Sequence, residues 1–227
     1  MKNQAREITR IEAFSDAVFA FAATLLVVSL EVPKTFPELV SDLKGFLAFG
    51  LAFSALVLIW SVHKGFFKRY CLQDTWTVVL NSCLLFVILF YVYPLKFVSK
   101  GIALYIFGVG KGQLEYRIAG PQELSTLFAI YGAAFAAVFF CFALLYLHAY
   151  RLGPALGLTD GQRNEAIILF RNYLIFSVVG LLSVLTAYSG IGLSWALPGW
   201  IYFLLGPACA LHGILSSRRK SKPNKAA

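Results

Sequence analysis

Charge is what this chain lacks most. Only 14% of its 227 residues are Asp, Glu, Lys or Arg, 59% are hydrophobic, and the mean hydropathy is +0.73. A soluble domain would carry about a quarter charged residues. This excludes a soluble globular protein and leaves no room within these residues for a second, soluble domain. Acids are the scarcer sign: Asp and Glu number 11 against 20 Lys and Arg, a net charge of +9. In an integral membrane protein such an excess points to cytoplasmic loops and anionic lipid. No basic patch is interleaved with aromatics on a soluble segment, which argues against nucleic acid. The four cysteines, Cys71, Cys83, Cys141 and Cys209, show no CxxC or other metal spacing. Three of them sit in apolar runs and read as small buried side chains. No nucleophile with an oriented base and no ligand set is in view, so no enzyme, cofactor or bound metal is expected. A haem or metal held by two of the histidines is conceivable, but no spacing favours it. A convincing cleaved signal is also missing, because Glu12 and Asp16 interrupt the first apolar region and further spans follow.

What is present is a series of charge-free runs. Gly45 to His63 gives 19 residues, Thr75 to Leu95 gives 21, and Leu124 to Tyr150 gives 27. Asn172 to Ser217 gives 46, too many for one span, and Ser189-Gly-Ile-Gly192 and Pro198-Gly199 divide it. With the N-terminal run the expectation is an all-α, polytopic membrane protein. Its six transmembrane helices fall at about 10–32, 45–65, 75–97, 123–149, 167–189 and 194–216 of a single domain, 1–217. Residues 218–227 read as a basic, disordered cytoplasmic tail. The run Gly101 to Gly110 reads as an interfacial or re-entrant piece of a long loop. With both termini inside, 14 basic residues lie on the cytoplasmic side and 6 outside, the positive-inside arrangement for a multi-pass protein of the cell membrane.

The organising stretch is Arg10 to Leu30. Its charge-free part, Ala17 to Leu30, is only 14 residues long, whereas a span needs ~20. To cross, this helix must take Asp16 into or near the bilayer, where an ionisable residue is a functional hypothesis by default. The plainer alternative is a helix end whose acid sits among headgroups. Along the helix, Ala17, Phe21, Thr24 or Leu25, and Val28 share one stripe, which simple packing against neighbours would also explain. Alanines 17, 20, 22 and 23 permit close helix approach. All three histidines fall towards the cytoplasmic side, and Trp60 and His63 share a helix face. Counting depth at ~1.5 Å per residue, Ser15, Asp16, Trp60, His63 and Asn81 can meet in one layer. Asp16 and His63 are expected to support each other there, since a buried carboxylate needs a partner. For His148 and His212, a satisfied helix-end histidine is an equally good reading.

At these residues the chain resembles the transmembrane protein 175 family of potassium channels. The motif R-x-x-x-F-S-D is carried by Arg10, Phe14, Ser15 and Asp16. Trp60-x-x-His63, Asn81 and Pro94 also match, as does the stretch from Tyr131-Gly132 to Tyr146-Leu-His-Ala-Tyr-Arg151. The resemblance covers essentially the whole chain, apart from the loop Lys96 to Pro121. It implies a six-helix subunit of a homotetramer whose first helices line a central pore. It implies that Arg10, Ser15 and Asp16 join Trp60, His63 and Asn81 in a network. It places the hydrophobic constriction at Phe21, where the family carries a branched aliphatic residue, and a pore-lining hydroxyl at Thr24, near which potassium would sit only transiently. An acid carried by many members is replaced by Ser29, with Glu31 two residues later.

The reading is therefore a passive, potassium-preferring cation channel surrounded by membrane lipid. No carbonyl-lined filter of the TVGYG kind is present. A proton-coupled or other secondary transporter using Asp16 is the alternative; broken helices paired across an inverted repeat would favour it, and none is seen. A non-conducting membrane scaffold is a further alternative.

Overall fold

The computed structural model describes residues 8–27, 35–107, 120–193 and 196–220. Every regular element among them is helical. The chain divides into two compact units, Met1–Arg117 and Ile118–Ala227.

The first unit holds α1 (Arg10–Val27), α2 (Phe36–Tyr70) and α3 (Thr75–Phe107), each touching the other two. Thr9 starts α1 through a capping box. The backbone N–H of Glu12 donates to Thr9 Oγ1 at 3.3 Å, and that of Thr9 donates to Glu12 Oε2 at 3.0 Å. Asp74 starts α3 by accepting from the N–H of Trp76 and the hydroxyl of Thr77. Between α2 and α3 the chain reverses in four residues, with Cys71 in the left-handed region at φ 52°. The core comprises Ala52, Leu56, Phe66, Phe67, Leu84, Ile88 and Val92.

The second unit holds α4 (Pro121–Leu152), α5 (Asp160–Ser189), the one-turn α6 (Leu197–Trp200), a 3₁₀ turn (Ile201–Leu204) and α7 (Leu205–Lys220). Thr159 and Gln162 form the capping box of α5. Backbones approach closely where α4 and α5 meet. A Cβ on Gly180 would lie 3.0 Å from both the amide nitrogen of Ala136 and the carbonyl oxygen of Gly132. Aromatic rings fill the rest: Phe139 lies 4.7 Å from Phe176, and Tyr146 5.3 Å from Tyr173, between ring centroids.

Several helices outrun the charge-free runs. α2 begins at Phe36 and ends at Tyr70, and α5 begins at Asp160, because Lys, Glu and Gln extend a helix well and only the apolar part must match the bilayer. α3 continues to Phe107, so the described part of Gly101 to Gly110 is helix and not a separate interfacial piece. Lys96 and Lys100 do not break it. A single sixth helix over 194–216 is not observed either. Pro198 opens α6, and Pro207, which has no N–H to give Phe203, falls in the first turn of α7 with the 3₁₀ turn between them. Among the described residues, four helical segments are long and apolar enough to cross a membrane: Phe46–Tyr70, Thr75–Leu104, Pro121–Leu152 and Asp160–Ser189. α1, with 18 residues and three charges, does not qualify alone. Val28, Ser29, Glu31, most of the loop after Phe107 and the tail from Ser221 lie outside the described residues.

Candidate functional site

The two faces of α1 differ. Ser15, Phe19, Ala22 and Leu26 are buried against the other helices. Ala13, Asp16, Ala17, Ala20, Phe21 and Thr24 are exposed on the subunit, and Leu25 is half-buried between the faces. Spacings of three and four residues generate both stripes.

The buried face carries the polar layer. Asn81 Nδ2 donates to Ser15 Oγ at 2.9 Å, and His63 Nε2 pairs with Asn81 Oδ1 at 2.8 Å. Ser15 Oγ also lies 2.7 Å from the carbonyl oxygen of Ile11. Direction follows from the last acceptor. A carbonyl cannot donate, so the Ser15 hydroxyl gives its proton to Ile11 and accepts from the Asn81 amide. Asn81 then turns its oxygen to His63, which must carry a proton on Nε2. One directed chain of donors thus joins α2, α3 and α1. All three side chains are buried: Ser15 0%, His63 2% and Asn81 1% exposed. At that depth an unmade bond would cost ~1–3 kcal/mol. The His63 ring is flanked by Phe19 at 5.4 Å and Phe67 at 4.8 Å.

Asp16 forms a separate branch. Its Oδ1 accepts from Trp60 Nε1 at 2.7 Å, and Lys64 Nζ lies 4.9 Å from the Trp60 ring centroid, a cation–π contact. The five residues expected in one layer do meet, but Asp16 and His63 are not bonded to each other. Each has a different partner because Trp60 and His63, three residues apart, sit one above the other on α2. Arg10 and Phe14 are exposed and take no part in these bonds. His148 and His212 lie in the second unit.

On the exposed face, Phe21 is 57% exposed, so its ring does not enter the subunit core. Thr24 Oγ1 donates to the carbonyl of Phe21 at 2.7 Å. With its proton so engaged, the hydroxyl oxygen presents lone pairs away from the helix. Among the described residues no group of three or more His, Cys, Asp or Glu is placed to hold a metal.

Two features were not drawn from the sequence above. The Thr9 box leaves a signal there, T-x-x-E before an apolar run. Lys96, which donates to the carbonyl of Leu26 at 2.6 Å, looks in sequence only like the charge that ends a run.

A family model described as "Endosomal/lysosomal potassium channel TMEM175" matches residues 10–91, the stretch that carries the polar layer. A potassium channel of Marivirga tractuosa is 36% identical over 226 residues, 96% of this chain and 91% of the relative. A crystal structure of a variant of the potassium channel MtTMEM175, bound to a nanobody–MBP fusion, superposes with a TM-score of 0.83. Identity there is 35%, over 95% of this chain and 96% of the other. A lysosomal potassium-selective channel TMEM175 homologue from Chamaesiphon minutus shares the fold with a TM-score of 0.54. It is 22% identical over 86% of this chain and 96% of the other.

Proposed function

The chain belongs to the endosomal/lysosomal potassium channel TMEM175 family, and from that premise we propose that it is a passive, potassium-preferring cation channel whose path is lined by α1. The family is one of ion channels and not of enzymes. The observation that carries the proposal is the division of α1 into two faces. One is locked into the subunit by the donor chain from His63 to Ile11. The other, Ala17, Ala20, Phe21 and Thr24, is left uncovered by the subunit's own helices. A homotetramer in the cell membrane would bring four such faces round one axis. The basic-residue asymmetry favours six spans with both termini in the cytoplasm.

In that arrangement four Phe21 rings form the narrowest, driest level. An ion crossing an apolar neck sheds water and receives no oxygen in return, so such a neck obstructs ions before it closes sterically. Thr24, about one turn further, offers the first ligands after that barrier, because its hydroxyl proton is already bound to the Phe21 carbonyl. Selectivity rests on how well four hydroxyls repay lost hydration. Leu25 flanks this level, and Val28 would continue the stripe.

Purified protein in a planar bilayer under opposed potassium and sodium gradients tests the reading. Currents far above transporter turnover are expected, reversing near the potassium potential; absence of potassium current in the wild type refutes it. Phe21→Ala should raise cation flux, and Thr24→Ala should shift the potassium-to-sodium ratio more than the total current. If Phe21→Ala folds and leaves flux unchanged while Leu25→Ala or Val28→Ala raises it, the neck lies at those residues. If none of the three alters flux, α1 does not line the path.

A further inference from the structure

α1 is tied to α3 by side chains at two levels. At one, Asn81 donates to Ser15; at the other, Lys96 Nζ donates to the backbone carbonyl of Leu26 at 2.6 Å. The exposed residues Ala17, Phe21 and Thr24 lie between them. Lys96 is half-buried within the apolar segment Thr75–Leu104. An ammonium in such a segment is costly unless its donors are used.

The geometry suits the second tie. From Ser15 to Leu26, α1 rises ~16 Å, and from Asn81 to Lys96, α3 rises ~22 Å. The difference of ~6 Å is about the reach of an extended lysine side chain, which in a helix leans towards the N-terminus. Helical carbonyls point the other way, towards the C-terminus. So Lys96 reaches back while the Leu26 oxygen points forward. A residue with a shorter side chain at position 96 would leave the gap unbridged.

We propose that Lys96 is a positioning residue for cation selection. Its ammonium pins the turn Ala23–Leu26 of α1 to α3 and so fixes how far the Thr24 hydroxyl stands from the conduction axis. Thr24 is two residues, ~3 Å of helix rise, from the pinned carbonyl. Without the tie, the Ser15 end of α1 stays latched while the Thr24 end moves. A hydroxyl that moves outward repays dehydration less well, and most visibly for the ion the ring fits. Lys96 acts through α1 and does not touch the ion. This inference rests on the channel reading above.

The test compares full-length wild type, Lys96→Met and Lys96→Arg in planar bilayers under bi-ionic potassium and sodium. Lys96→Met should lower the potassium-to-sodium permeability ratio about threefold, the factor that part of one net hydrogen bond supplies. Lys96→Arg, which keeps a long cationic donor, should restore most of it. If Lys96→Met raises potassium conductance at an unchanged ratio, Lys96 acts only as a charge and the proposal is overturned. If Lys96→Met does not fold, Lys96→Gln, a shorter donor, decides: a lowered ratio supports the proposal and an unchanged one overturns it. A wild type without potassium current defeats the channel reading and this inference with it. A conducting, selective wild type with indifferent variants defeats the inference alone.

Discussion

The two units of this chain hold their helices together by different means. In the first, the contacts that join helices include hydrogen bonds between side chains far apart in sequence: Ser15 with Asn81, Asn81 with His63, Asp16 with Trp60. In the second, bonds between elements run from a hydroxyl to a backbone carbonyl, Ser125 to Ala187 and Ser183 to Pro198, and α4 and α5 meet chiefly through Gly132, Ala136 and Gly180 and a ladder of rings from Phe135 to Tyr173. The difference teaches where specificity is needed. Glycines and rings give contact area, and in lipid such close packing is the main attraction between helices. Apolar surfaces, however, can slide by a turn at modest cost. A directed chain of donors cannot, because every atom in it has one acceptable neighbour. In the channel proposed above, the helix whose outer face lines the path is the one held by bonds between side chains.

The sharpest way to break the contrast is at the close backbone approach. Gly180→Leu drives a side chain against backbone atoms of Ala136 and Gly132, which cannot rotate away. A loss of ~3 kcal/mol or more is expected, seen as a collapse of the thermal transition in detergent. Gly65→Ala in α2, where a Cβ meets nothing within 4 Å, should by contrast be neutral or slightly stabilising. An equal loss at both sites would mean that Gly65 is also packed against a neighbour, because alanine favours the helix over glycine and propensity alone cannot produce a loss.

In the first unit the corresponding break is Asn81→Leu, which strands the His63 N–H and leaves Ser15 only its bond to Ile11, and should cost ~2–3 kcal/mol. The two branches of the layer can then be separated. Asp16→Ala and His63→Ala should add within ~0.5 kcal/mol, since the residues bond to different partners, whereas Ser15→Ala and His63→Ala, linked through Asn81, should cost less together than the sum. Thermal melts of the single and double variants decide; strong coupling of Asp16 with His63 would show that the two branches act as one.

A smaller effect compares the turns. Three left-handed positions of the second unit are served by Gly157, Gly190 and Gly192 and one by Ala196, whereas the left-handed residue between α2 and α3 is Cys71. Cys71→Gly should stabilise by up to ~1 kcal/mol, because glycine adopts that conformation without a Cβ clash. A fall in the melting temperature would locate a packing role for the Cys71 side chain.

Much of this was legible in the sequence, for physical reasons that can be named. Ser15, Asp16, Trp60, His63 and Asn81 could be brought to one level by counting helical rise from the ends of charge-free runs, since depth is nearly linear in residue number. What counting could not give was who bonds to whom. Pairing Asp16 with His63 followed from charge, but the orientation of α2 gives Asp16 to Trp60. The helix ends were least legible, because lipid constrains only the apolar part. α2 and α3 run on past their charges, and Pro207 interrupts the last segment beyond the breaks at Ser189–Gly192 and Pro198-Gly199. Lys96 was invisible as a contact because its acceptor is a backbone atom, which leaves no mark in side-chain chemistry.

The bond from Thr24 to the carbonyl of Phe21 has an evolutionary consequence. Its acceptor belongs to the main chain, so any residue at position 21 that keeps the helix supplies it equally well. The aim of the hydroxyl is inherited from the backbone and is indifferent to the ring beside it. Mutation can therefore enlarge, shrink or replace the side chain at 21 without disturbing the orientation at 24. On the channel reading proposed above, relatives that trade one bulky residue for another at this level would diverge in throughput while keeping a common preference among ions, and an engineer could adjust the two traits one at a time.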